Sequence, residues 1–311
     1  MTIKNVVVAG GGVLGSQIAY QAAYKGFAVT VWLRSEGSVE RAKPKFEQLR
    51  QTYLATLEAM KSDSAAYCRG LADTPELSVD EIEQLKQRAQ QAFESIVFTT
   101  SYEDAAKDAD LVIEAIAEDP KQKDAFYAEL AKYLPESTIL VTNSSTLPSQ
   151  IAASTGRPEK FLALHFANRI WRNNTAEVMG HPGTDQAAYD EVVRFAGDLG
   201  MVPLQLHKEQ PGYILNSMLV PFLNAAEVLY ATGVADPETI DKTWMLGTGA
   251  PLGPFRILDI VGLTTAYNIV VLDPRTKDPD SVPAKIAAAL KERIDAGKTG
   301  VDAGEGFYRY N

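Results

Sequence analysis

The sequence predicts an α/β protein: a doubly wound domain with an inserted helical pair, followed by a smaller all-α domain. Three observations predict it. Short apolar runs alternate with helical spacing over much of residues 1–209. A charged, glycine-poor stretch at 38–95 interrupts that alternation. Beyond Pro211 and Gly212 the spacing is helical and no strand-like run occurs.

The elements follow in order. Val6 to Val8 read as a buried strand broken by Gly10 to Gly12. Leu14, Ile18 and Ala22 then mark one helix face, Gly26 closes that helix, and Val29 to Leu33 form a second strand. Residues 38–95 carry two helices with a break around Asp73 to Ser78. Alternation resumes with predicted strands at Leu111–Ala115, Thr138–Val141 and Phe161–His165, a helix after Pro120, a helix at Ala187–Leu199 and a strand at Val202–Leu206. Leu215, Leu219, Phe222, Ala226 and Leu229 then step by four and three, a buried helix stripe that Pro221 should bend. The predicted domains are 1–209 and 210–311.

Composition narrows the function. Lys plus Arg is 30 and Asp plus Glu is 40, a net charge of −10. An acidic body argues against nucleic acid or an anionic membrane as partner, while a local basic pocket could still take an anionic small molecule. The one cysteine, Cys68, allows no intrachain disulfide. The first apolar run leads straight into glycines, unlike a signal peptide. No stretch approaches the roughly 18 apolar residues of a membrane helix. A cytoplasmic protein is expected, with no metal site.

Gly10-Gly11-Gly12-Val13-Leu14-Gly15 fits G-x-G-x-x-G between a strand and a helix, the context that makes a Rossmann-type dinucleotide site. Gly10 allows the tight turn, Gly12 the approach of a pyrophosphate, and Gly15 close helix–strand packing. The helix N-terminus offers free N–H groups to phosphates. An NAD site usually ends its second strand with Asp or Glu, to hold the ribose hydroxyls. Here Leu33, Arg34 and Ser35 stand at that place, and Arg can pair with a 2′-phosphate. The site leans to NADP; Glu36 leaves NAD open.

Three histidines exist. His165 stands at the end of an apolar strand, where open α/β sheets bind ligands, and its side chain can exchange a proton near neutrality. His181 and His207 read as loop and strand-end residues.

The chain resembles the 3-hydroxyacyl-CoA dehydrogenase family, nearly end to end. The resemblance lies in the glycine loop, in Asp110-Leu111-Val112-Ile113-Glu114-Ala115, in Asn143-Ser144-Ser145 and in His165-Phe166-Ala167-Asn168 with Glu177 twelve residues after the histidine. It continues in Pro211-Gly212-Tyr213-Ile214-Leu215-Asn216, in Pro251-Leu252-Gly253-Pro254-Phe255, and in the closing Gly297 to Gly300 and Gly304 to Tyr308. It implies that His165 is the general base, that Glu177 orients it, and that Ser145 and Asn216 contact the reacting oxygen. It implies that Val13, Leu14, Ala117, Asn143, Glu118, Lys123 and Asn168 line the cofactor site, the last three at the nicotinamide ribose. It also implies a homodimer built by the helical domain.

Two departures bear on the substrate. The segment Asn168-Arg169-Ile170-Trp171-Arg172-Asn173-Asn174 replaces an apolar one, and Arg169 and Arg172 suggest a polar or anionic substrate. The inserted helical pair, which in the family contacts CoA, is longer here, and Lys43, Lys45, Arg50 and Lys61 are mixed with Glu47, Glu58 and Asp63. The expected reaction is interconversion of a 3-hydroxyacyl-CoA and its 3-keto form with NAD(P). A free 3-hydroxy acid, as for the L-gulonate dehydrogenase and lambda-crystallin branch, is the alternative substrate. A non-catalytic crystallin-like dinucleotide-binding protein is the alternative of another class.

Overall fold

The computed structural model describes residues 2–310 and divides into two compact units, Met1–Ile214 and Leu215–Asn311. The division falls a few residues beyond the expected 209/210 break. Tyr213 and Ile214, which open a long helix, bond to residues of the first unit.

The first unit is built on an eight-stranded sheet: β1 (Asn5–Ala9), β2 (Ala28–Trp32), β3 (Val97–Thr99), β4 (Leu111–Glu114), β5 (Ile139–Thr142), β6 (Phe161–Phe166), β7 (Thr175–Met179) and β8 (Val202–Leu206). The order is β3-β2-β1-β4-β5-β6-β7-β8, and every neighbouring pair is parallel except β6–β7. Sequence periodicity finds neither β3 nor β7. β3 has three residues, too few to establish a pattern, and β7 carries a glutamate inward where an apolar residue would announce a strand.

Both faces of the sheet are covered, so the strands read as continuous apolar runs. Val6 and Val8 of β1 join one core cluster, and Val7 and Ala9 join the other. On the first face lie α1 (Val13–Tyr24) and the inserted pair α2 (Glu36–Ala59) and α3 (Val79–Ser95). Buried tyrosines join them. The Tyr53 ring meets Tyr20 and Tyr24 edge-on at 4.8 and 5.4 Å. Its hydroxyl donates to Gln21 Oε1 at 2.6 Å, and that of Tyr20 donates to the Ala89 carbonyl at 2.7 Å. On the other face lie α4 (Tyr102–Ala106) and α5 (Pro120–Leu130), whose first turn is capped by Asp119. α6 (Pro148–Ile151) and α7 (Gln186–Asp198) complete the unit.

The second unit is helical: most of α8 (Tyr213–Ala231), then α9 (Pro237–Thr248), α10 (Pro254–Val261), α11 (Leu263–Val270) and α12 (Val282–Asp295). Leu223, Ala226, Phe255, Leu258 and Leu290 form its core. Two buried aspartates fasten it. Asp241 accepts from the Phe255 and Arg256 N–H groups and thereby caps α10. Asp259 accepts from the Phe307 and Tyr308 N–H groups and from the Tyr310 hydroxyl, which secures the closing segment. A Cβ at Gly253 would overlap Asp241, and one at Gly306 would overlap Asp259, so both positions require glycine.

α8 continues through Pro221 as one helical element. One sequence expectation needs correction: the helix, 19 residues long with an 18-residue window of mean hydropathy 1.3, is long and apolar enough to cross a membrane by length and composition. Asn216, Ser217, Asn224 and Glu227 interrupt every apolar run, which is why no continuous stretch stands out in the sequence. Of the stripe, Ala226 is buried, Leu219 and Phe222 pack against the core, and Leu215 and Leu229 are exposed.

Candidate functional site

The glycine loop sits between β1 and α1, where the strand order reverses between β1 and β4. Gly10 has φ 120°, and a Cβ there would overlap the Ala115 carbonyl. A Cβ at Gly15 would overlap the carbonyl of Gly10. At Gly12, by contrast, a Cβ would meet nothing within 4 Å. Two glycines are thus required by packing and the third faces open space at a helix N-terminus, the arrangement a pyrophosphate needs. Val13 is exposed on the first turn of α1, and Leu14 packs against the core. Lys45 reaches from α2 to the Gly11 carbonyl at 2.8 Å.

The same cleft is lined by Leu33, Arg34, Ser38, Arg41 and Ala117. Leu33 is buried, beside Ala42 and Gly11, and offers no acceptor to a ribose. Arg34 is exposed. Ser35 is the N-cap of α2: its hydroxyl accepts from the Ser38 N–H and lies 3.0 Å from the Ser38 hydroxyl, to which Arg41 donates at 2.9 Å. Sequence reasoning singles out neither Ser38 nor Arg41, although they lie three and six residues after Ser35 at helical spacing. Glu36 accepts from the Thr100 hydroxyl.

At the ends of β4 and β5 a charged network fixes two loops. Lys123, on α5 and 3% exposed, donates to both oxygens of Glu114 at 2.7 Å. Glu114 is 1% exposed and also accepts from Thr142, Tyr127 and the Ile116 N–H. Glu118 lies 3.5 Å from Lys123 and accepts from the Ser144 hydroxyl at 2.6 Å and the Ser145 N–H at 3.3 Å. Ser145 is exposed. Asn143 accepts from the Phe166 N–H at 3.1 Å, tying the end of β5 to the end of β6.

His165 and Glu177 meet because β6 and β7 are antiparallel in a register that sets them directly opposite. The distance from His165 Nδ1 to Glu177 Oε2 is 3.0 Å. The other glutamate oxygen, Oε1, accepts from the Ile214 N–H at 2.8 Å. An ionised carboxylate only accepts, so a neutral imidazole in this pairing carries its proton on Nδ1 and leaves Nε2 as an acceptor. The twelve-residue step is the length of this hairpin. Its connection, residues 167–174, turns at Arg169, which has φ 59° and whose N–H donates to Gln17. Asn168 is exposed and its carbonyl accepts from Asn173. Arg172 is exposed beside the Cys68 thiol, whose acidity is reduced by burial and partly restored by that arginine. Asn216 lies in the second unit, on α8.

His181 and His207 line a separate cleft with Lys208 and Glu209. A ring nitrogen of His181 lies 2.9 Å from the Pro158 carbonyl, a structural bond. Tyr213, missed in the sequence, stacks on the imidazole of His165, with ring centroids 4.2 Å apart and planes within 7°.

A doubly wound sheet with a glycine loop at its switch point, and a carboxylate-held histidine at a neighbouring strand end, define a dinucleotide-dependent oxidoreductase. The chain belongs to the 3-hydroxyacyl-CoA dehydrogenase family. The family's NAD binding domain matches residues 5–210 and its C-terminal domain residues 212–310. The chain is 32% identical to the mitochondrial hydroxyacyl-coenzyme A dehydrogenase of Rattus norvegicus, over 99% of this chain and 91% of that one. It is 33% identical to a probable 3-hydroxybutyryl-CoA dehydrogenase of Deinococcus radiodurans, over 97% and 99%. A solved diketoreductase structure, described for its catalysis of dicarbonyl compounds, superposes with TM-score 0.84 at 49% identity, with both chains fully covered.

Proposed function

We propose that the chain interconverts a 3-hydroxyacyl-CoA and the corresponding 3-ketoacyl-CoA, with His165 as acid and base. The His165–Glu177 pair at 3.0 Å carries this reading. Bound nicotinamide would accept or supply the hydride. In the oxidative direction Nε2 takes the hydroxyl proton, and Glu177 stabilises the imidazolium that forms. In the reductive direction Nε2 returns that proton. Ser145 donates to the reacting oxygen as charge builds on it, and the family resemblance implies the same role for Asn216. Glu118, anchored to Lys123 and to the Ser144–Ser145 turn, holds the ribose end together with Asn168.

The cofactor reading leans to NADP. Buried Leu33, exposed Arg34, the Ser38–Arg41 pair and the engagement of Glu36 by Thr100 support it. The working form is a cytoplasmic homodimer joined through the second unit. Met218, Leu246 and Leu272 there are 69%, 80% and 80% exposed, apolar side chains that a partner could cover.

A second reading, reduction of a free dicarbonyl compound or 3-keto acid, is favoured by two observations. Lys43, Arg50 and Lys61 of the inserted pair are held by Glu40, Glu47, Glu58 and Glu83. The diketoreductase relative is also more alike in sequence than the CoA enzymes cited. A panel of 3-ketoacyl-CoAs, free 3-keto acids and diketones, each with NADH and NADPH, separates the two. Turnover confined to CoA thioesters supports the first reading, and turnover confined to free dicarbonyls replaces it with the second.

A further inference from the structure

Tyr213 is completely buried, and its backbone has φ 56°, in the left-handed region that a bulky side chain rarely occupies. Such a conformation persists only where the surroundings over-determine it, and these positions cluster at functional sites. Hydrogen bonds of Tyr213 and of its neighbour hold it. The Tyr213 N–H donates to the Gln210 carbonyl at 3.0 Å. Its hydroxyl donates to the Ser144 carbonyl at 2.5 Å. The next residue, Ile214, donates its N–H to Glu177 Oε1. Burial, with Glu177 adding to it, raises the phenol far above its ordinary range, so the hydroxyl stays a donor.

The ring that this strained turn delivers lies flat on the His165 imidazole. The hydrogen bond to Glu177 fixes that imidazole at one edge only. A ring held at one edge can still tilt about the bond, and tilting moves Nε2. A parallel aromatic face at 4.2 Å blocks the tilt. The same side chain bonds the carbonyl of Ser144, the residue before Ser145. One residue therefore touches the histidine, the turn that carries Ser145 and, through its neighbour, the glutamate.

We infer that Tyr213 is a positioning residue that locks the His165 ring by stacking and couples it to the Ser144–Ser145 turn through its hydroxyl. The inference rests on the reading of His165 as acid and base. Positioning errors of an ångström cost about a hundredfold in rate. Tyr213→Leu should therefore lower kcat by about ten- to a hundredfold, with KM and dinucleotide affinity changed by less than about threefold. Tyr213→Phe keeps the face and should recover kcat to within about fivefold of the parent.

The test takes these two variants and His165→Asn in the full chain, each checked for folding by dinucleotide titration. Steady-state kinetics are combined with nitrogen–proton spectra of the histidine rings. The parent should show His165 as a single Nδ1–H tautomer, and Tyr213→Leu a mixture. Tyr213→Leu with unchanged kcat and a single tautomer would overturn the inference. So would Tyr213→Phe as slow as Tyr213→Leu. A fast His165→Asn would instead reject the acid–base reading, whatever the tyrosine variants do.

Discussion

Two buried glutamates on the same sheet make a natural comparison. Glu114 ends β4 and Glu177 sits in β7, and they are 1% and 3% exposed. Both have a hydrogen-bonded basic side chain and a backbone N–H as partners. The difference is the base. Lys123 grips both oxygens of Glu114 and is itself buried, so that pair is a fixed peg beneath the two loops. His165 takes one oxygen of Glu177 through Nδ1 and leaves the other to the Ile214 N–H. The same carboxylate chemistry gives support in one place and, on the proposed reading, proton transfer in the other. The partner decides which.

The largest effect tests the peg. Lys123→Met leaves Glu114 buried without its cation and should cost about 3–5 kcal/mol of stability, read by denaturant unfolding. A loss under about 1 kcal/mol would show that the pair is not structural and would return Lys123 to a purely cofactor-binding role.

A third glutamate sharpens the comparison by having no basic partner among the described residues. Glu227 on α8 is 5% exposed, Asn224 bonds it, and its Oε1 has no hydrogen-bond partner. Burial pushes its carboxyl up to about 7. The folded state then holds a proton that the unfolded chain releases at lower pH, so stability falls as pH rises from about 4.5 through about 7. Glu227→Gln removes that loss. It should stabilise the protein by up to about 3 kcal/mol at pH ~8.5 and by little at pH ~4.5. Equal effects at both pH values in thermal melts would contradict this.

The smallest effect lies on the exposed side. Arg34 faces the cleft from solvent, and one charge-assisted hydrogen bond contributes on the order of 1.5–3 kcal/mol. NADPH should bind roughly 10- to 150-fold tighter than NADH, and Arg34→Ala should erase most of that preference. Equal affinities in the parent would show that Arg34 does not select the phosphate.

The two sides of the site were unequally legible. The glycine loop could be read because its constraint is local: a turn, a helix start and a close approach fall within six residues. His165 could be read from its strand, and the spacing to Glu177 from the family pattern, but not the reason for that spacing. β7 stays hidden because its inward residue is the glutamate itself. Lys123 shows what the sequence leaves unread. The resemblance places it at the ribose, and the structure adds its hydrogen bonds to Glu114, nine residues away in sequence. Tyr213 could not have been found, since a strained tyrosine after Pro211-Gly212 has meaning only once the imidazole beneath it is seen. The exposed rim of α2 was within reach, because Ser38 and Arg41 follow Ser35 at helical spacing.

The claim that His165 and Glu177 act as one proton-handling unit is tested most directly by a double-mutant cycle on kcat. His165→Asn should lose the roughly 10²–10⁴-fold of acid–base catalysis, and Glu177→Gln about tenfold or more. If the glutamate acts only through the histidine, the double variant should be no slower than His165→Asn, within about threefold. A double variant slowed by the product of the two single losses would contradict the account and give Glu177 an independent role.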